Sequence, residues 1–148
     1  MACIRKAQLE DLAAAVRLAG ELWPEHSVEE LEAELEPYLE KEDGAIFLAY
    51  DRNHRPCGFA QCGLRRDYVE GTSVSPVGYL KGVYVREAYR RRGIARLLVE
   101  TCQQWTIQMN CREFASDCEL ANEDSRRFHL ALGFEEANRI ICFVRRLV

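Results

Sequence analysis

The chain has 148 residues, of which 48% are hydrophobic and 30% charged, and its formal net charge is −4 at pH 7. This length suits one domain and is too short for two of ordinary size, so we expect a single domain over residues 1–148. The longest segment without a charged residue, 101–111, is shorter than the about 20 apolar residues of a membrane-spanning helix. No apolar signal-peptide stretch begins the chain, which predicts a cytoplasmic protein with no membrane partner.

The seven cysteines are an odd number and form no Cys-x-x-Cys pair. Structural zinc sites use closely spaced ligands, whereas the three histidines (26, 54 and 129) are scattered along the chain. Reduced thiols in a reducing compartment are the simpler interpretation. The sequence therefore predicts no metal site.

Charge is distributed unevenly along the chain. Residues 21–43 contain ten acidic residues and one lysine, and residues 81–96 contain six basic residues and one glutamate. Neighbouring regions of opposite sign suggest two ligands of opposite charge. On charge alone, however, two solvated surfaces are the better interpretation.

In chain order, the hydrophobic spacing predicts a strand over 2–6 and a helix over 9–23. Ser27 and Glu30 form a capping-box pattern before a second helix, which Pro37 is expected to bend or divide. Strands are predicted over 45–50, 57–64 and 79–85, with a loop at 67–76. A helix from Ile94, a strand over 112–117, a helix over 122–132 and a strand over 140–145 complete a mixed α/β order.

The segment after the strand 79–85 is the most informative. A basic turn with one glycine, Arg90-Arg91-Arg92-Gly93, leads directly into a helix. Helix N-termini present unpaired backbone N–H groups to anions, and a glycine lets the backbone approach closely. The turn lacks the Walker and dinucleotide fingerprints, so it predicts a different kind of pyrophosphate cradle.

The same turn, read as Arg90-x-x-Gly93-x-Ala95, resembles the signature of the GNAT superfamily of acetyl-CoA-dependent N-acetyltransferases. A second signature is partly met by Asn122, Ser125 and Gly133-Phe134, with His129 where the family usually has Tyr. The element order also agrees over essentially the whole chain. The resemblance implies a GNAT-like mixed, mostly antiparallel sheet with helices on both faces.

Several further segments are similar to bacterial aminoglycoside 6′-N-acetyltransferases, which transfer acetyl from acetyl-CoA to the 6′-amine of the drug. They are Trp23-Pro24-x-His26, Asp67-Tyr68-Val69-x-Gly71, Ser75-Pro76-Val77, Ala115-Ser116-Asp117 and Ala131-Leu132-Gly133-Phe134-Glu135-Glu136. The resemblance implies a cytoplasmic antibiotic-resistance enzyme that uses acetyl-CoA as co-substrate. It also implies a homodimer in which C-terminal strands are exchanged, although the sequence alone allows an internal edge strand equally well.

The resemblance also implies roles for individual residues. Val83, Tyr84 and Val85 would pair with the pantetheine arm as an added strand, and Asn122 would bind the cofactor near its thiol. The cofactor turn consists of Arg90, Arg91, Arg92, Gly93, Ile94, Ala95 and Arg96, whose amides from position 91 onward would hold the pyrophosphate.

The amine-substrate site would be lined by Trp23, His26, Tyr68, Glu70, Lys81, Asp117 and Asn138. Asp117 is the candidate catalytic base or amine-positioning carboxylate, because an ammonium group must lose a proton before it attacks a thioester. Purely structural roles stay open: Trp23 as core, Asn122 as helix cap, Tyr68 and Glu70 as loop surface. Whether His129 protonates the departing thiolate is also open.

Two positions depart from the pattern of the related enzymes. Lys81 stands where they have a Glu that faces the cationic drug, and Asn138 where some have a second acid. Fewer carboxylates and an added cation predict weaker binding of a polycation, so we expect Lys81 to narrow or shift the acceptor range.

The leading interpretation is direct acetyl transfer to a primary amine of an aminoglycoside, without a covalent enzyme intermediate. A GNAT acetyltransferase of another small amine, polyamine or peptide is the first alternative. A non-catalytic acyl-CoA-binding module is the second, and it would have no use for Asp117. Nucleic-acid binding is disfavoured by the net acidity and by the lack of aromatic stacking positions.

Overall fold

Within residues 2–148, which the computed structural model describes, the chain forms five strands and four helices. In chain order these are β1 (Cys3–Lys6), α1 (Leu12–Leu22), α2 (Val28–Glu40), β2 (Gly44–Tyr50), β3 (Pro56–Arg65), β4 (Val77–Val85), α3 (Ile94–Gln108), β5 (Phe114–Ser116) and α4 (Glu123–Ala131). Short 3-10 turns precede α1 and follow β4. None of the described helices is long and apolar enough to cross a membrane.

The sheet has the strand order β1-β2-β3-β4-β5. Strands β1 to β4 are antiparallel neighbours, whereas β5 runs parallel to β4. Parallel neighbours need a crossover connection, which α3 supplies. The predicted mixed, mostly antiparallel sheet is therefore confirmed.

Each face of the sheet is covered by helices, because successive strand residues point to opposite sides. On one face Phe47, Cys62 and Leu80 pack with Leu98 and Trp105 of α3. On the other face Ile46, Leu48 and Phe59 pack with Leu18 of α1 and Leu35 of α2. We call the second side the α1/α2 face. The prediction of helices on both faces is confirmed.

The beginning of α2 has the predicted capping box. The Glu30 amide donates to Ser27 Oγ at 3.1 Å, and the Ser27 amide donates to Glu30 Oε1 at 2.8 Å. Pro37 lies inside α2, which continues to Glu40, so of the two expected effects of the proline the division of the helix does not occur.

The C-terminal segment differs from the prediction. No strand forms over 140–145, and residues 135–148 have no regular secondary structure. A strand needs a partner for its backbone groups, and within the described chain this segment has none. Its apolar residues are exposed, Ile141 and Phe143 among them.

Candidate active site

The basic turn before α3 has the backbone conformation of an anion site. Arg91 and Gly93 have positive φ angles of 65° and 77°, and left-handed residues are typical of backbone nests that bind anions. A Cβ placed on Gly93 would meet no atom within 4 Å, so the space in front of the turn is open. The first amides of α3 have no partner within the helix. The turn therefore fits the pyrophosphate cradle predicted from sequence.

Side chains of the turn contribute mainly to its shape. Arg90 Nε donates to the carbonyl of Val85 at 2.8 Å, and Arg96 Nη2 donates to the carbonyl of Ala131 at 3.1 Å. The Arg92 guanidinium lies 5.6 Å from the centre of the Tyr89 ring. The arginine side chains therefore fix the position of the turn and leave its backbone amides as the groups that could meet an anion.

One edge of β4 has no neighbouring strand between its last pair with β5 and the basic turn. Pairing of β4 with β5 extends from Gly78↔Phe114 to Leu80↔Ser116. Farther along β4, only the β3 side is paired, up to Gly58↔Val85. Among the described residues, no strand therefore pairs with the other edge of 83–85, although the Val85 carbonyl accepts from Arg90 Nε. An extended amide-containing chain can add to such an edge as another strand.

Beside this edge, the α1/α2 face presents Trp23 and Lys81. Strand β4 has one extra residue, Lys81, between the pairs Gln61↔Gly82 and Cys62↔Leu80. A Cβ on Gly82 would lie 2.7 Å from Trp23 Cζ2 and Cη2, so the indole covers this glycine. The Trp23 ring also makes an edge contact with Phe59, with centroids 6.0 Å apart. Trp23 thus packs on Phe59 and on Gly82, the residue that follows Lys81.

Asp117 follows the last residue of β5, at the point where β4 and β5 separate. Its Oδ2 accepts a hydrogen bond from the hydroxyl of Tyr79 at 2.5 Å. Burial and, to a smaller extent, this hydrogen bond raise the pKa of the Tyr79 hydroxyl. The predicted catalytic carboxylate is therefore held at the end of the open edge, on the side opposite Ser116.

The other predicted acceptor residues lie farther apart. Asn138 Nδ2 donates to Glu70 Oε1 at 2.6 Å, which joins the 67–76 loop to the C-terminal segment. Tyr68 is 72% exposed. The imidazole of His26 lies 3.6 Å from Glu25 and 3.8 Å from Glu30. The structure thus pairs Glu70 with Asn138 and places His26 at the beginning of α2.

His129 and Asn122 both have structural contacts. His129 Nδ1 lies 2.7 Å from the carbonyl of Ser125, and Nε2 lies 2.8 Å from Ser116 Oγ. A carbonyl only accepts, so Nδ1 bears a hydrogen, while the Ser116 hydroxyl beside Nε2 also donates to the carbonyl of Leu80 at 3.2 Å. Asn122 Oδ1 accepts from the amide of Ser125 at 3.1 Å, as an N-cap residue does.

Tyr79, Glu34 and Gly82 belong to this region but were not predicted from sequence. Glu34 Oε1 lies 3.2 Å from Lys81 Nζ. A local signal exists for Tyr79, which precedes Lys81 by two residues on the same strand. Glu34 and Gly82 gain their importance only through contacts with distant elements.

The chain matches the model of the acetyltransferase (GNAT) family over residues 9–134. It is 39% identical over 138 residues to an aminoglycoside N(6′)-acetyltransferase type 1 of Serratia marcescens, covering 93% of this chain and 94% of that protein. It is 41% identical to the protein of the same name in Stenotrophomonas maltophilia, with 95% and 90% of the two chains covered.

Solved structures show the same similarity. The complex of AAC(6′)-Iy with the bisubstrate analogue CoA-S-monomethyl-acetylneamine has a TM-score of 0.93 at 36% identity and covers 99% of both chains. The 6′-N-acetyltransferase AAC(6′)-Ih of Acinetobacter baumannii has a TM-score of 0.92 at 34% identity, with both chains fully covered.

Proposed function

Because the chain belongs to the GNAT family of acetyltransferases, we propose that it is an aminoglycoside 6′-N-acetyltransferase that uses acetyl-CoA and acts as one domain over its whole length. One structural observation supports this most directly. A carboxylate, Asp117, lies where β4 and β5 separate, beside the open edge of β4. An amine acceptor and an extended acyl carrier can meet at that point.

The basic turn and the free edge of β4 bind different parts of the acyl carrier. Amides of residues 91–96 bind the pyrophosphate of acetyl-CoA, helped by the positive end of α3. The backbones of Val83, Tyr84 and Val85 bind the pantetheine arm along the free edge of β4. Arg90 holds the end of β4 through the Val85 carbonyl, and Asn122 reaches the thiol end while it caps α4.

Acetyl-CoA, when bound, supplies the acetyl group and a thiol leaving group. Asp117, directly or through a water, accepts a proton from the acceptor ammonium, so that the free amine can attack the thioester carbon. The new C–N bond forms and the C–S bond breaks, the proton that the attacking nitrogen loses passes to the departing thiolate so that coenzyme A leaves as a free thiol, and no residue of the protein is acetylated. We assign no metal to this reaction.

For the acceptor, Trp23 forms an apolar wall above Gly82, and Asp117 and Glu70 supply negative charge. The rim of the acceptor site also contains Tyr68, His26 and Asn138, and Lys81 restricts which acceptors bind. The acidic helix α2 adds a longer-range field that attracts cations and weakens with salt.

Acetyl-CoA turnover with kanamycin, tobramycin and an aminoglycoside that lacks the 6′-amine tests the function. We expect release of free thiol with the first two and none with the third. The Asp117→Asn variant should lose about 10²- to 10⁴-fold in kcat while acetyl-CoA still binds. Asp124→Asn, on the exposed surface of α4, is the matched control and should keep full activity.

Other results would point to the alternatives. Turnover with polyamines or peptides but with no aminoglycoside would assign another amine as the substrate. Binding of acetyl-CoA that is indifferent to Asp117→Asn, without any turnover, would assign a non-catalytic binding module.

We further propose that the protein is a cytoplasmic homodimer that confers aminoglycoside resistance. All seven cysteines are free, which suits a reducing compartment. Five apolar residues of the C-terminal segment are between 65% and 89% exposed: Ile140, Ile141, Phe143, Val144 and Leu147. Monomeric proteins seldom expose such a contiguous patch. A second copy would cover it by pairing with this segment as a strand.

A further inference from the structure

An ion pair connects α2 to the bulge of β4. Lys81 Nζ lies 3.2 Å from Glu34 Oε1, and the two side chains are 46% and 42% exposed. Lys81 is the extra residue of the bulge, and bulges commonly redirect a side chain next to an active site. The pair therefore places one positive and one negative charge on the α1/α2 face.

This pair lies inside the proposed acceptor site. On β4, Lys81 comes two residues after Tyr79, which holds Asp117, and directly before Gly82, which Trp23 covers. An acceptor that rests on Trp23 and presents an amine to Asp117 therefore spans the part of β4 that carries Lys81 and its partner Glu34. The charge of Glu34 is already matched by Lys81 before any acceptor arrives.

The floor beneath the pair is polar. Gln61, on β3 opposite Gly82, is fully buried. Its amide is near the Tyr38 hydroxyl, yet within residues 2–148 neither its nitrogen nor its oxygen makes a hydrogen bond of ordinary geometry. A buried amide without partners is costly. Because Gln61 is fully buried, it reaches no ligand directly, and its effect is to make the sheet beneath the pair polar rather than apolar.

We propose that Lys81 masks Glu34 in the acceptor site and thereby selects acceptors with a hydroxyl, rather than a second ammonium, near the reactive amine. This rests on the proposed aminoglycoside activity. An ammonium beside the pair must compete with Lys81 for Glu34 and meets a like charge. A hydroxyl can accept from Lys81 and donate to Glu34 while the pair stays intact. Lys81 and Glu34 are thus specificity-determining residues.

Kanamycin A and kanamycin B provide the test, because they differ only in a hydroxyl or an amine on the ring that bears the 6′-amine. We expect the wild type to have the higher kcat/KM for kanamycin A. Lys81→Met should raise kcat/KM for kanamycin B about fivefold relative to kanamycin A, mainly through KM. The gain should shrink as salt is added.

Glu34→Gln distinguishes masking from simple removal of a positive charge. In the Lys81→Met background it should remove most of the gain for kanamycin B, whereas in the wild type it should produce no gain. Lys41→Met, at the C-terminal end of the same acidic helix, removes the same charge outside the pair and should leave the ratio of the two acceptors unchanged. Lys81→Gln repeats the test with a polar side chain.

Equal changes for both acceptors in Lys81→Met and Lys81→Gln would overturn the inference alone, as would a gain that persists after Glu34→Gln. If the folded wild-type protein binds acetyl-CoA but acetylates neither kanamycin, the proposed function is overturned and the inference with it.

Discussion

The hydroxyl of Tyr79 donates a hydrogen bond of 2.5 Å to Asp117 Oδ2 and so connects β4 to the end of β5. Burial raises the pKa of this hydroxyl, and the neighbouring carboxylate raises it further. Tyr79 therefore remains a protonated donor throughout the range of an enzyme assay. The Arg65 guanidinium lies 4.6 Å from the centre of the Tyr79 ring and is itself bound by Asp67. Tyr79 acts as a positioning residue for Asp117.

Replacing Tyr79 by Phe should selectively weaken the use of the acceptor substrate. The Asp117 carboxylate loses the donor that orients it, and a hydrogen bond to a charged group at a partly exposed site is worth about fivefold to tenfold. We expect kcat/KM for kanamycin to fall by about that factor, with KM for acetyl-CoA unchanged. Steady-state kinetics with each substrate varied in turn measures both values.

A double-mutant cycle separates positioning from a general packing defect. In the Asp117→Asn background, Tyr79→Phe should cost little more, because the oriented carboxylate is already gone. Tyr50→Phe, on β2, is the control, because it removes another tyrosine hydroxyl that faces a carboxylate, that of Asp11. It should not affect the kinetics. Additive losses in the cycle would contradict the positioning role.

The features predicted correctly from residue patterns alone, without the family resemblance, are local ones. The Ser27–Glu30 cap lies within four consecutive residues, and the basic turn lies between a strong strand and a strong helix, so short-range patterns are sufficient for both. The pairing of Tyr79 with Asp117 spans 38 positions and depends on the register of two parallel strands. Neither spacing nor composition determines that register.

The predicted strand 140–145 was wrong for a different reason. Its apolar residues have the composition of a strand, but a strand is defined by its partner, and one copy of the chain supplies no partner for it. The Lys81–Glu34 contact was missed because it depends on a β-bulge, which adds one residue without a recognisable sequence signal.

Gly82→Ala should displace Trp23. The added methyl group would lie 2.7 Å from the indole, too close for contact, so the ring must move off Gly82 and change the shape of the proposed acceptor site. We expect KM for kanamycin to rise severalfold, binding of acetyl-CoA to persist, and the free energy of unfolding to fall by about 1–3 kcal/mol. Kinetics and thermal unfolding of the same preparation provide these values.

Gly78→Ala is the matched control for this substitution. Its methyl group would collide with Thr106 of α3, 2.2 Å from Cγ2, on the opposite face of the sheet. It should therefore destabilise the fold without a selective effect on KM for kanamycin. Similar kinetic changes in both variants would show that the acceptor effect is only a consequence of lower stability.

Glu21 should contribute to stability in a pH-dependent manner. Burial alone would raise its pKa, but hydrogen bonds from Arg86 at 2.9 Å and from Tyr84 at 3.0 Å outweigh burial and lower the pKa below its ordinary value. A carboxyl group whose pKa is lower in the folded state stabilises that state above its unfolded pKa. This contribution disappears as the pH falls through the folded-state pKa.

Glu21→Gln should consequently lower Tm at neutral pH, and its Tm difference from wild type should shrink as the pH falls through the folded-state pKa of Glu21, where the wild-type carboxyl group becomes protonated. Glu32→Gln, on the outer surface of α2, should change Tm little across the same pH range. A Tm difference between Glu21→Gln and wild type that stays constant as the pH is lowered would exclude the ionised Glu21–Arg86 contact as its source.

The C-terminal segment should control the oligomeric state. Ile141 and Phe143 are 82% and 89% exposed in a single copy, and unpaired apolar strands readily pair with a second chain. We expect the full chain to sediment as a dimer at micromolar concentration, and Ile141→Lys with Phe143→Lys to sediment as a monomer, because pairing would bury the added charges.

Arg145→Lys, in the same segment, keeps its charge and should keep the dimer. A monomeric wild type, or a double variant that stays dimeric, would show that this segment is not the interface. In either case, the exposed apolar residues would need another partner.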